Sequence, residues 1–416
     1  MRKLLLGILS VMVVDAFFFD FKLRVFPIAN SKMILAVIGA VAFVFDSIRR
    51  GQPLISKRVI KSAFLAVLFS LWCFVAITIN GTDDRTFAKY FASFGTWLGG
   101  AYGVYAILKL LHGRVDLGRI SWYLALVCVS QCVIALLIDN VGFVRTTVNS
   151  IFLQASDFYE SAGRLYGIAC ALDPAGVRFS AVQILIAHQL AKEESIRENI
   201  GAYSTLFISF LVITVVGSII SRTTGVGTAL GLGYILMTNL RIEKGGLVSR
   251  TQFVLSLLLL FLILSAVGIS TYLYNTSSSF HNELRFGFEG FFNWVETGEF
   301  RTGSTDHLQT MWVWPETPRS WILGEGKLGV FQIGSDIGYC NYIFHCGLIG
   351  LAIFTTFFLF NHLSLISKFK RFTLTAWLLV AVTLIVWCKV MTDIFLVDAL
   401  LFCIDGDKEL LPEKSA

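Results

Sequence analysis

Charged residues are scarce in this chain: Asp, Glu, Lys and Arg together make up only 15% of its 416 residues. A soluble domain has about 25% charged residues and could not hide the apolar remainder in a core. Hydrophobic residues reach 56% and aromatic residues 14% of the chain, with 37 phenylalanines. The composition therefore excludes a soluble globular protein and indicates an integral membrane protein.

Cysteine pairs with the spacing of metal or redox motifs are missing. The chain has eight cysteines but no CxxC pair, and all of them except Cys340 lie well inside apolar runs. Neither a disulfide framework nor a zinc site is suggested by this pattern. We therefore expect no metal ion and no other cofactor.

Several signatures of soluble enzymes are also absent. The chain contains no GxxxxGK[ST] loop, no HExxH pair and no nucleophile elbow. No DxD-type pair stands out on the face predicted to lie outside, which argues against a metal-bound nucleotide-sugar donor. The formal net charge of +6 follows from membrane topology and gives no reason to expect a nucleic-acid partner.

Apolar runs of about 20 residues recur along the chain, the length that crosses a hydrocarbon core of roughly 30 Å. They predict an all-α polytopic membrane protein with about twelve transmembrane helices. The predicted spans lie near 4–19, 31–48, 59–79, 91–111, 119–138, 174–191, 202–220, 223–240, 251–272, 338–361, 372–388 and 390–404. No internal repeat relates the two halves, so we treat 1–416 as a single membrane domain.

Basic residues mark the connections that we expect to face the cytoplasm. They are Arg49, Arg50, Lys57, Arg58, Lys61, Arg114, Arg119, Lys192, Arg197, Arg241, Lys244, Arg250, Lys368, Lys370 and Arg371. Each lies on an even-numbered connection, which places the N-terminus and the tail 405–416 in the cytoplasm. The opening run is followed by Asp15 and phenylalanines in place of small residues, which favours an uncleaved first span over a signal peptide.

Two polar segments are predicted on the opposite face, 139–173 and the long loop 273–336. Connections of this length tend to be functional. The long loop holds Trp294, Trp312, Trp314 and Trp321. These side chains could anchor the protein at headgroup level, or they could form a platform for sugar rings. The stretch STDHLQTMWVWPETPRSWILGEG predicts a short helix at the interface.

The segment GRLYGIACALDPAGVRFS contains a helix start and two arginines of interest. Asp173 is predicted to cap the helix, with Pro174 in its first turn. Arg164 lies before the span without an acidic neighbour in sequence. Arg178 lies about one turn inside the span, where it either faces the protein interior or extends its charge to water.

The turn SRTTG joins two predicted spans and carries Arg222. The free N–H groups at the start of the next helix point toward the same space, which favours an anion such as pyrophosphate. The alternative is a single charge that marks a helix end. Glycines follow at 225, 227, 231 and 233, and at membrane depth this spacing predicts close helix packing.

A set of outward arginines and one carboxylate completes the candidate site. The arginines are Arg164, Arg222, Arg285, Arg301 and Arg319, and the carboxylate is Asp336, at the start of an apolar helix. Arginines can neutralise a lipid diphosphate as it leaves, while a carboxylate accepts the proton of an attacking sugar hydroxyl. Among the histidines, only His307 ranks as a candidate. We expect Tyr339 to share a helical face with Asp336.

Three stretches together resemble the O-antigen polymerase and ligase superfamily of bacterial envelope glycosyltransferases, the Wzy and WaaL type. They are GRLYGIACALDPAGVRFS, then SRTTG, then WILGEGKLGVFQIGSDIGYCNYIFHCGLIGL, and they follow the order of the family. The likeness covers roughly 160–355. It implies a GT-C-like fold and a metal-independent, inverting glycosyl transfer from undecaprenyl diphosphate at the periplasmic face of the bacterial inner membrane.

The resemblance also implies roles for individual residues. Arg222 corresponds to the arginine of the SR turn, which is expected to contact pyrophosphate, and Arg164 matches the arginine ahead of the DP helix. Asp336 stands where ligases usually hold histidine and polymerases often hold aspartate, which favours a polymerase. For the long-loop arginine of the family we choose Arg301 over Arg319 and Arg285.

The sequence therefore predicts a polymerase of O-antigen, capsule or exopolysaccharide repeat units. The predicted partners are undecaprenyl-diphosphate-linked oligosaccharides, together with a chain-length regulator as an open possibility. One alternative in the same chemical class is an O-antigen ligase or a protein O-oligosaccharyltransferase. Another alternative, from a different class, is a flippase or transporter of lipid-linked sugars, although such proteins usually have related halves.

Overall fold

The structure is a computed structural model that describes residues 2–51, 55–239 and 250–407. In the first part of the chain the elements are α1 Arg2–Phe18, β1 Lys22–Leu23, β2 Phe26–Asn30, α2 Ser31–Arg50, α3 Lys57–Asn80, α4 Tyr90–His112, α5 Leu117–Asn140, α6 Gly142–Ile151, α7 Ser156–Ser161, α8 Leu172–Lys192, α9 Glu194–Arg197 and α10 Ile200–Ile220. In the second part they are α11 Thr224–Asn239, α12 Arg250–Thr276, α13 Ser278–Gly287, α14 Glu289–Thr297, α15 Gly303–Thr310, α16 Pro318–Leu323, α17 Val330–Ile333, α18 Gly338–Ser364, α19 Thr373–Val386 and α20 Phe395–Cys403.

Apolar helices dominate the described residues, as the composition predicts for an all-α membrane protein. The strands β1 and β2 pair antiparallel in a short hairpin. Among the described helices, five are long and apolar enough to cross a membrane, namely α2, α3, α5, α10 and α18. Every predicted span coincides with a helix, but α20 has only nine residues and rises about 14 Å. The count of twelve spans therefore stays a prediction.

Some predictions fall outside the described residues. Arg241 and Lys244, two of the basic residues that orient the chain, are among them. So are residues 408–416, which form most of the predicted tail. The predicted long loop 273–336 contains the short helices α13 to α17, and the stretch expected to form an interfacial helix holds two of them, α15 and α16.

The chain divides into two compact units, each built from two separate stretches. The first unit consists of Met1–Asn30 and Gly118–Arg301, and the second of Ser31–Leu117 and Thr302–Ala416. The predicted spans are thus distributed between two clusters of helices.

In the first unit, α8 packs closely against α10 and α11. A Cβ atom on Gly227 would lie 2.2 Å from Ser180 Cα, and one on Gly231 would lie 2.8 Å from the Phe210 ring. These two glycines thus let α11 approach its neighbours closely, as predicted. Gly225 and Gly233 have nothing within 4 Å of such an atom.

Charged side chains within the first unit are paired inside the bundle. Arg178 forms an ion pair with Asp20 at 3.1 Å, so it faces the interior and not the lipid. Asp15 accepts a hydrogen bond from the Gln131 side chain at 2.9 Å. Gln131 in turn accepts one from the backbone N–H of Ile168. Through Gln131, Asp15 therefore joins α1 to α5 and to the loop before α8, which explains a carboxylate within the predicted span 4–19.

In the second unit, α2 and α4 meet where both helices carry glycine. A Cβ atom on Gly39 would lie 1.9 Å from Gly99 O, and one on Gly103 would lie 2.3 Å from Leu35 O. Backbones can approach this closely only where side chains are absent, which is the usual basis of tight helix pairs in membranes.

Helix α18 is broken at Gly347, whose φ of 66° and ψ of −177° are not helical. The rings of Tyr342 and Phe354 lie only 5.1 Å apart. In a straight helix their positions would be separated by about 18 Å along the axis. The halves 338–346 and 348–364 therefore fold back on each other, and Trp387 contacts side chains from both of them. The predicted span at 338–361 is helical but is not one straight rod.

The WILGEG segment fills the break in α18. The carbonyl groups just before Gly347 accept hydrogen bonds from the backbone N–H groups of Glu325 and Gly326 and from the indole of Trp72. A Cβ atom on Gly347 would lie 2.2 Å from Ile322 O, so only glycine fits there. Backbone groups that the helix leaves unpaired at this point are thus satisfied by neighbouring protein segments, as a nonpolar environment requires.

Candidate functional site

Two of the predicted site arginines, Arg164 and Arg222, meet in the first unit. The guanidinium carbon of Arg164 lies 4.3 Å from the ring centre of Phe286, and that of Arg222 lies 4.1 Å from the same ring centre. Cation–π contacts of this kind hold a guanidinium without neutralising it. The structure therefore brings together the arginines of two sequence motifs that are separated by more than 50 residues.

Arg222 is held by several further contacts. Its Nε donates to Phe286 O at 2.9 Å, and its Nη2 lies 2.6 Å from a carboxylate oxygen of Glu289. Partial burial and the nearby positive charge of Arg164 lower the pKa of Arg222 from its ordinary value, although Glu289 opposes this effect. Among the described residues, no carboxylate lies within ion-pair distance of Arg164. Among the described residues, the two arginines together have one paired carboxylate, Glu289 on Arg222, so the pair carries a net positive charge.

Asp173 orients the turn that carries Arg222. The prediction that Asp173 caps the helix is wrong. Helix α8 begins at Leu172 with Ala171 at its N-cap position, and no side chain caps it. The carboxylate of Asp173 instead accepts hydrogen bonds from the hydroxyls of Ser221 and Thr223, the two neighbours of Arg222. The DP and SR motifs are thus joined directly, because a carboxylate in the first turn of α8 can reach across to the α10–α11 turn.

A cleft of about 420 Å³ lies beside Arg164 in the first unit. Its charged lining comprises Asp139, Arg145, Glu160, Arg164 and Glu283, and the ring of Phe286 forms part of its wall. Arginine favours phosphate, whereas carboxylates can accept hydrogen bonds from sugar hydroxyls. The cleft thus has groups suited to both parts of a glycan diphosphate.

The other outward arginines of the first unit have acidic partners of their own. Arg285 forms a bidentate ion pair with Glu296, in which Nη1 and Nη2 donate to the two carboxylate oxygens at 2.7 and 2.6 Å. These hydrogen bonds raise the pKa of Arg285 and lower that of Glu296. Arg301 lies 3.4 Å from Glu299, and both side chains are exposed. Of these two, the better-held arginine is Arg285 and not Arg301, the residue chosen from the resemblance.

Asp336 lies in the second unit, two residues before α18 begins. It is exposed, and among the described residues no side chain or backbone group forms a hydrogen bond with its carboxylate. Tyr339 is half-buried, and its hydroxyl donates to Leu384 O at 3.0 Å. The carboxylate is thus accessible to a substrate hydroxyl, whereas the Tyr339 hydroxyl already has a protein acceptor.

His307 and Arg319 also belong to the second unit, and both are exposed. His307 lies in the short helix α15, which begins with a capping box formed by Thr302 and Thr305. Arg319 lies in the first turn of α16, directly after Pro318. Both residues are therefore held on ordered helices and remain open to a ligand.

Three tryptophans of the long loop stack in the second unit. The rings of Trp314 and Trp321 lie 5.4 Å apart and nearly parallel, at 19°. Trp312 lies 5.5 Å from Trp314. Trp312 and Trp314 are 39% and 43% exposed, so the stack presents an open aromatic face. Such a face suits the platform interpretation, because scattered anchoring tryptophans have no need to contact one another.

A buried polar pair lies elsewhere in the second unit. His362 Nδ1 lies 2.8 Å from Asp398 Oδ1, and its Nε2 lies 3.1 Å from Thr383 Oγ1. Both His362 and Asp398 are fully buried. Ionisable groups inside a membrane bundle are expensive to bury and are usually functional. Sequence reasoning missed this pair because its members lie in separate apolar helices.

Phe286 and Glu289 were also missed by sequence reasoning. Phe286 lies in the last turn of α13 and Glu289 is the first residue of α14, and neither has a distinguishing pattern among the many phenylalanines and acidic residues. A cluster of aromatic residues ahead of an acidic residue in a polar loop was the only available signal. No family model, curated protein or solved structure matches the chain.

Proposed function

We propose that this protein is a membrane glycosyltransferase that polymerises oligosaccharide repeat units carried on a lipid diphosphate. The observation that carries the proposal is the convergence of Arg164 and Arg222 on Phe286 beside a polar cleft. A diphosphate leaving group needs positive charge where its own negative charge develops, and arginines supply it without a metal ion.

In this proposal the acceptor hydroxyl attacks the anomeric carbon while its proton passes to Asp336. The bond between the sugar and the diphosphate breaks, and the lipid diphosphate leaves with the bonding electrons. A single base suffices for one inverting displacement. The exposure of Asp336 supports this role, and the tryptophan stack supports binding of a glycan chain.

The arginines can be tested in cells that lack the chromosomal gene and carry a plasmid copy. We expect Arg164→Ala and Arg222→Ala to reduce long-chain glycan at least tenfold, because each removes a charge from the leaving-group site. Glycan length would be measured on gels and by mass spectrometry of the lipid-linked fraction. Arg114→Ala is the matched control, since Arg114 is an exposed arginine paired with Asp116.

Membrane levels of every variant would be measured in parallel by immunoblotting. Long chains at the wild-type level in a well-expressed Arg164→Ala and Arg222→Ala double variant would overturn the proposal.

Asp336→Asn tests the general base separately. The amide has nearly the same shape as the carboxylate but cannot accept the proton, so we expect single-repeat glycolipid to accumulate. Asp306→Asn serves as the control, since it changes another carboxylate in the long-loop region of the same unit. Normal polymer from Asp336→Asn would remove the assigned role of Asp336 and leave the arginine site standing.

Two alternatives predict different accumulating species. Loss of a ligase leaves polymer on the carrier lipid, whereas loss of a polymerase leaves one repeat on the final acceptor. A transporter is favoured by one observation, the buried His362–Asp398 pair, because proton-coupled transporters use such groups. Proton uptake that follows addition of lipid-linked sugar to proteoliposomes, and that is lost in His362→Ala, would support transport.

A further inference from the structure

The break in α18 places three potential metal ligands together in the second unit. Cys73 on α3 and the neighbours His345 and Cys346 on α18 present their ligand atoms within 4.8 Å of one another. All three side chains are fully buried. We propose that these residues form a binding site for Zn²⁺ or another thiophilic divalent cation.

The hydrogen bonding of His345 favours a metal ligand over an ordinary core histidine. Its Nε2 lies 3.2 Å from Asp84 O. Because a carbonyl only accepts, the proton must reside on Nε2, and Nδ1 keeps a lone pair. Nδ1 is buried without a hydrogen-bonding partner among the described residues. A histidine that ligates a metal through one nitrogen while the other donates to a backbone carbonyl has the usual outer-shell arrangement.

The charge of the donor set selects a divalent ion. Two thiolates and a neutral imidazole carry a charge of −2, so a divalent cation gives a neutral complex, which suits a buried site. Atoms bound to one zinc ion lie roughly 3.3–3.8 Å apart, given bond lengths of about 2.0–2.3 Å. Closing the present cluster around an ion thus requires a movement of about 1 Å.

Binding also requires that the two thiols lose their protons. Cys346 donates a hydrogen bond from Sγ to Tyr342 O at 3.2 Å in the structure. Each sulfur exchanges its proton for the metal, so binding of one ion releases two protons and involves no oxidation.

A cleft of about 650 Å³ offers a route for a cation. It is lined by the carboxylates of Asp83 and Asp84 together with Thr82, Gly326 and Lys327. Asp84 also supplies the carbonyl that pairs with His345. The acidic groups of this cleft attract cations toward the segment whose backbone contacts His345.

The position of the site predicts its role. Cys73 belongs to α3, while His345 and Cys346 immediately precede Gly347, where α18 changes direction. A bound ion would tie α3 to the first half of α18, residues 338–346. The site is therefore structural, separate from the glycosyl transfer proposed above, and the two proposals can fail independently.

The full-length protein, purified in detergent without chelator, tests the inference. We expect about one zinc per chain by elemental analysis, because the three residues can bind one tetrahedral ion and leave its fourth position open. Replacement with Cd²⁺ should give the ultraviolet charge-transfer band of thiolate–cadmium bonds. Chelator should lower the thermal midpoint of the wild-type protein.

Variants make the assignment specific. Cys73→Ser, His345→Ala and Cys346→Ser should each reduce bound metal at least tenfold, whereas Cys128→Ser, a buried cysteine in the first unit, should retain it. Gel filtration checks that each variant is folded, and a folded Cys73→Ser variant alone decides the question if the others aggregate. A wild-type protein that neither contains zinc nor takes up Cd²⁺ overturns the inference. So does a Cys73–Cys346 disulfide, detected by maleimide labelling of the unfolded protein with and without reductant.

Discussion

At the scale of single residues, the structure distinguishes arginines that are paired with a carboxylate from an arginine whose charge can bind an anionic substrate. Arg178 and Arg285 have carboxylate partners, while Arg164 rests on an aromatic ring and keeps its charge. A guanidinium on a ring is positioned but not neutralised, which is what an anionic substrate requires.

The buried His362–Asp398 pair gives a prediction at this scale. Either His362→Ala or Asp398→Ala leaves its partner buried without compensation, so each should destabilise the protein by about 3–5 kcal/mol. Stability would be measured by denaturant unfolding of the detergent-solubilised protein. The double variant should lose less than the sum of the single variants, because the two residues interact directly.

An exposed pair provides the control for that cycle. Arg301→Ala and Glu299→Ala alter an ion pair at the surface, where such pairs contribute about 0–1 kcal/mol. Additive effects at His362 and Asp398, of the same small size as those at the exposed pair, would contradict the prediction.

Much of the residue-scale site could be predicted, because some signals are local. Arg222 stands in the turn before a helix start, and Arg164 precedes a predicted span without an acidic neighbour in sequence, so each was a candidate from its local sequence. Phe286 and Glu289 could not be found, since contact between the long loop and the α10–α11 turn depends on tertiary packing. The proposed metal site was not predicted for a similar reason, because Cys73 and Cys346 are 273 positions apart in the sequence.

At the scale of helices, the predicted spans match the observed elements closely. The prediction 59–79 became Lys57–Asn80, and 91–111 became Tyr90–His112. Long apolar runs predict such helices well because backbone hydrogen bonds must be satisfied within the segment. The break in α18 was not predicted, because its cause is the WILGEG segment, which supplies the missing donors from elsewhere in the chain.

Two glycines on α11 give a pair of predictions about helix packing, one for a crowded position and one for an open position. Gly227→Ala places a methyl group against the backbone of Ser180 and should cost about 1–3 kcal/mol. Gly233→Ala, on the same helix, meets open space and should be stabilising by about 0.5–1 kcal/mol, because alanine favours the helix. The thermal midpoints of the two purified variants should therefore move in opposite directions from the wild type, and equal shifts would contradict the close packing of Gly227 against Ser180.

At the scale of the whole molecule, the two units combine stretches that are far apart in the sequence. Each unit contains an early stretch and a later one, so neither can be completed until much of the chain is made. The site arginines Arg164 and Arg222 belong to the first unit, and Asp336 belongs to the second.

The orientation of the chain is a prediction that applies to the whole molecule. Because the basic connections are expected inside, alkaline phosphatase fused within the segment 139–173 should be active. Green fluorescent protein fused after Gly113 or at the C-terminus should fluoresce. The opposite pattern at any of these positions would contradict the topology and would move the proposed site to the other face of the membrane.

The sequence by itself determined that this is a helical membrane protein and where its helices lie. That information is local, since the length and hydrophobicity of each run decide whether it can be stable in lipid. Only the tertiary structure decided which side chains meet: two arginines on Phe286, His362 with Asp398, and Cys73 with His345 and Cys346. Those contacts depend on how helices pack and where α18 folds back, and interactions between distant segments control both.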